Sequence, residues 1–105
     1  PALSLGASGA VGSTYNFAAP IYHRLIQTFT AGDLAAARSE QLCSVRLIAL
    51  LAARGFMPAA KTVMKLLGVD VGPARLPNGG LTPDQQTALQ KDLEHLGFFD
   101  WLKQK

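Results

Sequence analysis

Gly9-Ala10-Val11-Gly12-Ser13-Thr14-Tyr15-Asn16 is the stretch whose reading decides the fold. Ala10-Val11 between glycines reads as a very short buried strand. Ser13 and Thr14 then present hydroxyls just before a helical pattern begins. A strand needs a sheet to join, because its buried N–H and C=O groups must be paired. No other stretch of the 105 residues reads as a good strand. The motif therefore predicts both a binding site and a partner for the strand outside these residues.

The composition points the same way. The chain is 49% hydrophobic and 16% charged, against about 25% charged in ordinary soluble domains. A small domain has much surface to cover and should carry more charge, not less. Part of this surface is thus expected to be covered by other residues of the same domain or by a neighbouring subunit. The formal charge of +3 is modest and its lysines and arginines are scattered, which gives no basic run for nucleic acid or a membrane surface. Cys43 is the only cysteine, so no disulfide forms within the chain and an oxidising compartment gains no support. It reads as a small apolar residue of a helix core. The longest apolar run, Leu47 to Ala53, is too short to span a bilayer. No positive segment followed by an apolar one opens the sequence. Pro1, in place of an initiator methionine, reads as an internal cut point, and the expected compartment is the cytoplasm.

Downstream of the motif the pattern is helical. Ile21, Leu25 and Phe29 form one apolar stripe, with Pro20 suited to a first helical turn and Gly32 to the end. Asp33 caps a second helix running to about Arg54, whose later half is apolar almost all round and must be buried on more than one side. A third helix runs from about Pro58 to Leu67, closed by Gly68. The connection from Val69 to Gly80 is long enough to pack across another surface, or to serve as a ligand lid. Thr82-Pro83-Asp84-Gln85 is a capping box that opens a fourth helix, striped by Leu89, Leu93 and Leu96. After Gly97, the residues Phe98, Phe99, Trp101 and Leu102 give an aromatic tail expected to dock.

The common site motifs are absent or weak. Gly6, Gly9 and Gly12 have neither the Walker ending nor the dinucleotide spacing. His23 and His95 lack carboxylate or thiol neighbours at ligand spacing, so no metal is expected and both read as exposed. Leu47 to Val69 has the outline of a helix–turn–helix, yet its second helix offers only Lys61 and Lys65 as polar readers. On the residues alone, a stand-alone helical interaction or DNA-binding module stays open.

The segment Gly6 to Asn16 resembles the last barrel strand of N-acetylneuraminate lyases, in the family of pyruvate-dependent aldolases that includes dihydrodipicolinate synthase. Phe29, Gly32-Asp33, Ala37 and Gln41 resemble the linker and helix that follow. Lys61-Thr62-Val63, Arg75 and Pro77 resemble the later helical region. The resemblance implies an α/β fold, with residues 1–31 as the last strand and helix of a (β/α)8 TIM barrel. Residues 32–105 would be its C-terminal helical extension, so that the chain itself is mostly α. It implies a lyase of a homotetrameric, cytoplasmic kind that cleaves sialic acid or a related 2-keto sugar acid to pyruvate and an aldehyde through a Schiff base. The family's Schiff-base lysine, its activating tyrosine and its carboxylate-binding loop lie on earlier strands. No catalytic residue is therefore expected among these residues, and Lys61, Lys65 and Tyr15 do not take those roles. The resemblance carries over a substrate-binding role to Ser13, flanked by Gly12 and Thr14. It implies no cofactor, no metal, no nucleic acid and no membrane. Without the rest of the barrel, these residues are expected to be inactive.

Overall fold

Two of the helix starts fall where the capping chemistry puts them. In the computed structural model, which describes residues 1–103, a short 3-10 turn at Leu3–Leu5 precedes five helices. They are α1 (Tyr15–Thr30), α2 (Leu34–Ala52), α3 (Phe56–Leu66), α4 (Pro83–Leu96) and α5 (Phe98–Lys103). Asp33 accepts a hydrogen bond from the backbone N–H of Ala36 at the start of α2. At α4 the capping box closes in both directions: the Gln85 N–H donates to Thr82 Oγ1 at 3.2 Å and the Thr82 N–H donates to Gln85 Oε1 at 2.9 Å. Each such cap satisfies N–H groups that have no partner within the helix.

Pro20 lies within the span of α1, but the helix bends ahead of it. Ala18 leaves helical geometry (φ −123°, ψ 21°). A proline lacks the N–H of the helical ladder and clashes with the carbonyl four residues back. The bend places Pro20 in the first turn of the following segment, where neither cost applies. Between α2 and α3 the chain bends by 111°. Gly55 makes this corner with φ 82° and ψ 110°, and a Cβ there would stand 3.3 Å from Pro58 Cγ. Both the backbone angle and the close approach favour glycine.

The core draws on every helix. Ile21, Leu47, Leu51, Ala59, Val63, Leu89, Leu93 and Phe98 are fully buried together. Burial of a side chain of Leu, Ile or Phe size contributes about 1.5–3 kcal/mol, so this cluster is the main source of stability. α1 packs most extensively on α2, while α4 bridges α2, α3 and α5. The aromatic tail docks as expected: Phe98 is buried, and Phe99, Trp101 and Leu102 pack half-buried against the same cluster. The Val69–Gly80 connection folds over α3, with Ala74 buried and a turn closed by the Ala74 N–H donating to the Gly79 carbonyl at 3.0 Å.

The expected strand at Ala10-Val11 is not formed, and this corrects the reading of the motif. Among the described residues there is no strand at all. Ala10 is exposed and Val11 is 102% exposed. An extended segment becomes a strand only when a neighbour supplies ladder partners, and none of the described residues does so. Residues 1–13 instead form an arm with almost no burial. The arm helps to explain a radius of gyration of 14.7 Å, above the roughly 13 Å of a compact chain of this length.

Candidate functional site

The arm and one face of the α1–α2 pair together line an open groove of about 910 Å³. Its helical wall is apolar along Leu25, Ile26, Phe29, Leu34 and Ile48. At one end three hydroxyls line the wall: Thr14, Tyr22 and Ser44. The three residues carried over by resemblance sit together at the turn where the arm becomes α1. Gly12 and Ser13 are exposed, whereas Thr14 is buried at 7%.

That turn is held by its own backbone and by two tyrosines. The Gly12 carbonyl accepts from the Tyr15 N–H at 3.2 Å, and the Ser13 carbonyl accepts from the Asn16 N–H at 3.3 Å. A Cβ on Gly12 would lie 3.6 Å from the Tyr15 ring, which thus stands over that side of the glycine. The Tyr15 ring meets the Tyr22 ring edge to face, with centroids 4.4 Å apart and planes at 68°. Thr14 Oγ1 lies 2.7 Å from Tyr22 Oη, which lies 2.7 Å from Ser44 Oγ. Buried hydroxyls of this kind need partners, and the phenol supplies one to each.

Sequence reading missed Tyr22 and Ser44. The available signal was faint. Tyr22 falls about two helical turns after Thr14, and Ser44 is a polar residue opening the apolar half of α2. Only the packing of α1 on α2 brings them together.

The other candidates separate from the groove. Lys61 and Lys65 line a different cavity of about 220 Å³, between α3 and the connection that includes Asp70 and Pro73. No lysine lines the groove among the described residues, so an imine-forming amine is not supplied there. His23 and His95 are exposed on different helices. The corner between α2 and α3 does have helix–turn–helix proportions. However, α3 buries Pro58, Ala59, Ala60, Thr62 and Val63 in the fold, which leaves little of it to enter a DNA groove.

Cys43 lies half-buried against the core. Burial pushes its thiol pKa up, and the neighbouring Glu40 carboxylate pushes it further, while Arg24 and Arg46 act in the opposite direction. A raised pKa means less thiolate at neutral pH, and thiolate is the nucleophile. Alkylation of the folded protein by iodoacetamide is expected to be slower than that of the urea-unfolded protein at the same pH. Its rate should climb only at pH values above the range of an ordinary thiol. Equal rates in the two states would contradict this placement of Cys43.

A helical chain carrying a glycine-serine-threonine turn beside a hydroxyl-lined groove narrows the class, and comparison with known proteins defines it. Residues 1–96 match the dihydrodipicolinate synthetase family, and the chain belongs to that family. It is 41% identical over 86 residues to an N-acetylneuraminate lyase of Lactiplantibacillus plantarum, covering 82% of this chain and 30% of the relative. It is 36% identical over 93 residues to a 4-hydroxy-tetrahydrodipicolinate synthase of Mycolicibacterium paratuberculosis, covering 89% and 31%. The fold superimposes on Proteus mirabilis N-acetylneuraminate lyase with a TM-score of 0.86 at 37% identity, covering 92% of this chain and 33% of that one. The chain thus spans about a third of the length of these relatives. These relatives are named as lyases or synthases.

Proposed function

We propose that these residues are the C-terminal part of a Schiff-base aldolase that cleaves N-acetylneuraminate, or a related 2-keto sugar acid, to pyruvate and an aldehyde. The observation that carries this reading is the close superposition on an N-acetylneuraminate lyase over nearly the whole chain. In the proposal residues 1–31 supply the last barrel strand and its helix, and residues 32–105 the helical extension. The open surfaces support it: Ile26, Leu34 and Ile48 are 48%, 49% and 38% exposed along one wall, and Val11 is wholly exposed. A neighbouring strand and the barrel would cover them. A cytoplasmic homotetramer is part of the same reading, which a single unpaired cysteine suits.

In the reaction, a lysine amine condenses with the substrate's C2 ketone and releases water. The C4 hydroxyl then gives up its proton to a base as its oxygen forms the aldehyde C=O, the electron pair of the breaking C3–C4 bond moves into the protonated imine, the aldehyde leaves, and an enamine remains. Protonation of the enamine and hydrolysis release pyruvate and restore the amine. The lysine comes from residues outside this chain. Ser13, with Gly12 and Thr14, contributes one wall, where hydroxyls hydrogen-bond the polar substrate and orient the scissile bond.

Borohydride trapping with pyruvate tests the proposal. The full protein is expected to gain one pyruvyl adduct, on a lysine outside residues 1–105, and to release pyruvate from N-acetylneuraminate. These 105 residues alone should trap nothing. An adduct on Lys61 or Lys65, or no adduct on any lysine of the full protein, would overturn it.

A further inference from the structure

We infer that Tyr22 is a positioning residue for the substrate-binding turn and acts through Thr14. The inference rests on the proposed role of Ser13 and Thr14 as a substrate wall. The observation behind it is a line of three hydroxyls, Thr14–Tyr22–Ser44, with both separations at 2.7 Å.

A phenol has one hydrogen, so Tyr22 donates to at most one neighbour and accepts from at least one. Both neighbours are shielded from water, Thr14 at 7% exposure and Ser44 at 2%. Each would lose its partner if the phenolic oxygen were removed, and an unsatisfied buried hydroxyl is costly. The line also has a mechanical sense. Ser44 stands on α2, the helix against which α1 packs most extensively. Through Tyr22 it ties the first residues of α1 to that support. Tyr22 reaches the turn a second way, since its ring meets the Tyr15 ring, which in turn backs Gly12. Ser13 lies between these two holds.

The polarity of the line sets what Thr14 offers. When Ser44 donates to Tyr22, and Tyr22 donates to Thr14, the threonine's own O–H is released toward the groove that it lines. When the polarity reverses, Thr14 spends its hydrogen on Tyr22 and presents only lone pairs. Tyr22 therefore fixes the place of the turn and couples the donor character of Thr14 to α2. It does not touch substrate in this assignment, and its removal should weaken binding more than bond cleavage.

Steady-state kinetics of the full enzyme with N-acetylneuraminate test this. Tyr22→Phe is expected to raise KM roughly tenfold, the scale of one lost buried hydrogen bond, with kcat changed less than about twofold. Thr14→Val should match it, and the double variant should be no worse than either alone, because both cut the same line. Thr14→Ser restores the hydroxyl and should recover most of the KM increase seen in Thr14→Val. A Tyr22→Phe enzyme with a lowered urea midpoint but unchanged KM would reduce Tyr22 to a structural pin and overturn the inference. Should Tyr22→Phe fail to fold, Ser44→Ala decides, since it cuts the far end of the line and leaves Thr14 in place: a raised KM supports the inference, and an unchanged KM overturns it. A parent enzyme that neither traps pyruvate nor releases it from N-acetylneuraminate overturns the proposed function and this inference together. A parent enzyme with activity but unmoved variants overturns this inference alone.

Discussion

Replacement of Phe98 by alanine is expected to lower the unfolding free energy by about 3–5 kcal/mol, the range for deleting a buried aromatic ring. Phe98 is fully buried, starts α5, and joins residues of all the other helices in one cluster. Its ring also meets Phe99 edge to face at 5.2 Å. The ring is large, and Leu89, Leu93 and Ile21 of the same cluster are themselves fully buried, so the cavity closes poorly. Against a total stability of about 5–15 kcal/mol for a domain, that loss is severe. The urea midpoint measures it, with Phe99→Ala as the half-buried comparison expected to cost less. A loss below about 1 kcal/mol for Phe98→Ala, well outside the usual range, would mean that the aromatic tail is not seated in the core.

Loss of Arg24 should have an effect of similar size by a different route. Its Nε donates to Glu40 Oε1 at 3.0 Å and its Nη1 donates to the Trp101 carbonyl at 2.8 Å. One side chain thus ties α1 to α2 and to α5. The pair is well shielded, with 12% and 19% side-chain exposure. Shielding makes such a pair a poor source of net stability but makes breaking it expensive, because the remaining charge stays in place without its partner. Arg24→Met is expected to cost about 3 kcal/mol or more by thermal or chemical unfolding. Glu40→Leu in the Arg24→Met background should recover much of that loss, since the stranded carboxylate goes with it. A cost within about 1 kcal/mol, or no recovery in the double variant, would place the pair with ordinary surface ion pairs.

Legibility in the sequence followed the range of the interaction. Asp33, Thr82 with Gln85, and the closing glycines act within one helical turn, so the helix boundaries could be read from the residue order. The stripe of Leu89, Leu93 and Leu96 and the aromatic tail could also be read, because periodicity reports which face turns inward. The Ala10-Val11 strand is not formed for the same reason in reverse. Its residues favour an extended backbone, but a strand is a property of two segments, and these residues contain one. The bend of α1 at Ala18 was only half legible: Pro20 requires a first turn, yet nothing local says that a short helical segment from Tyr15 precedes the bend.

By itself, then, the sequence determined the helical content, the family and the motif that carries Gly12, Ser13 and Thr14, together with the caps at Asp33 and Thr82. These depend on neighbours in the chain or on a contiguous motif. Tertiary structure alone decided that Tyr22 and Ser44 complete that turn, that Arg24 links three helices, and that Lys61 and Lys65 face away from the groove. Thr14 and Ser44 are thirty positions apart, and only the packing of α1 on α2 brings both within hydrogen-bonding distance of one phenol.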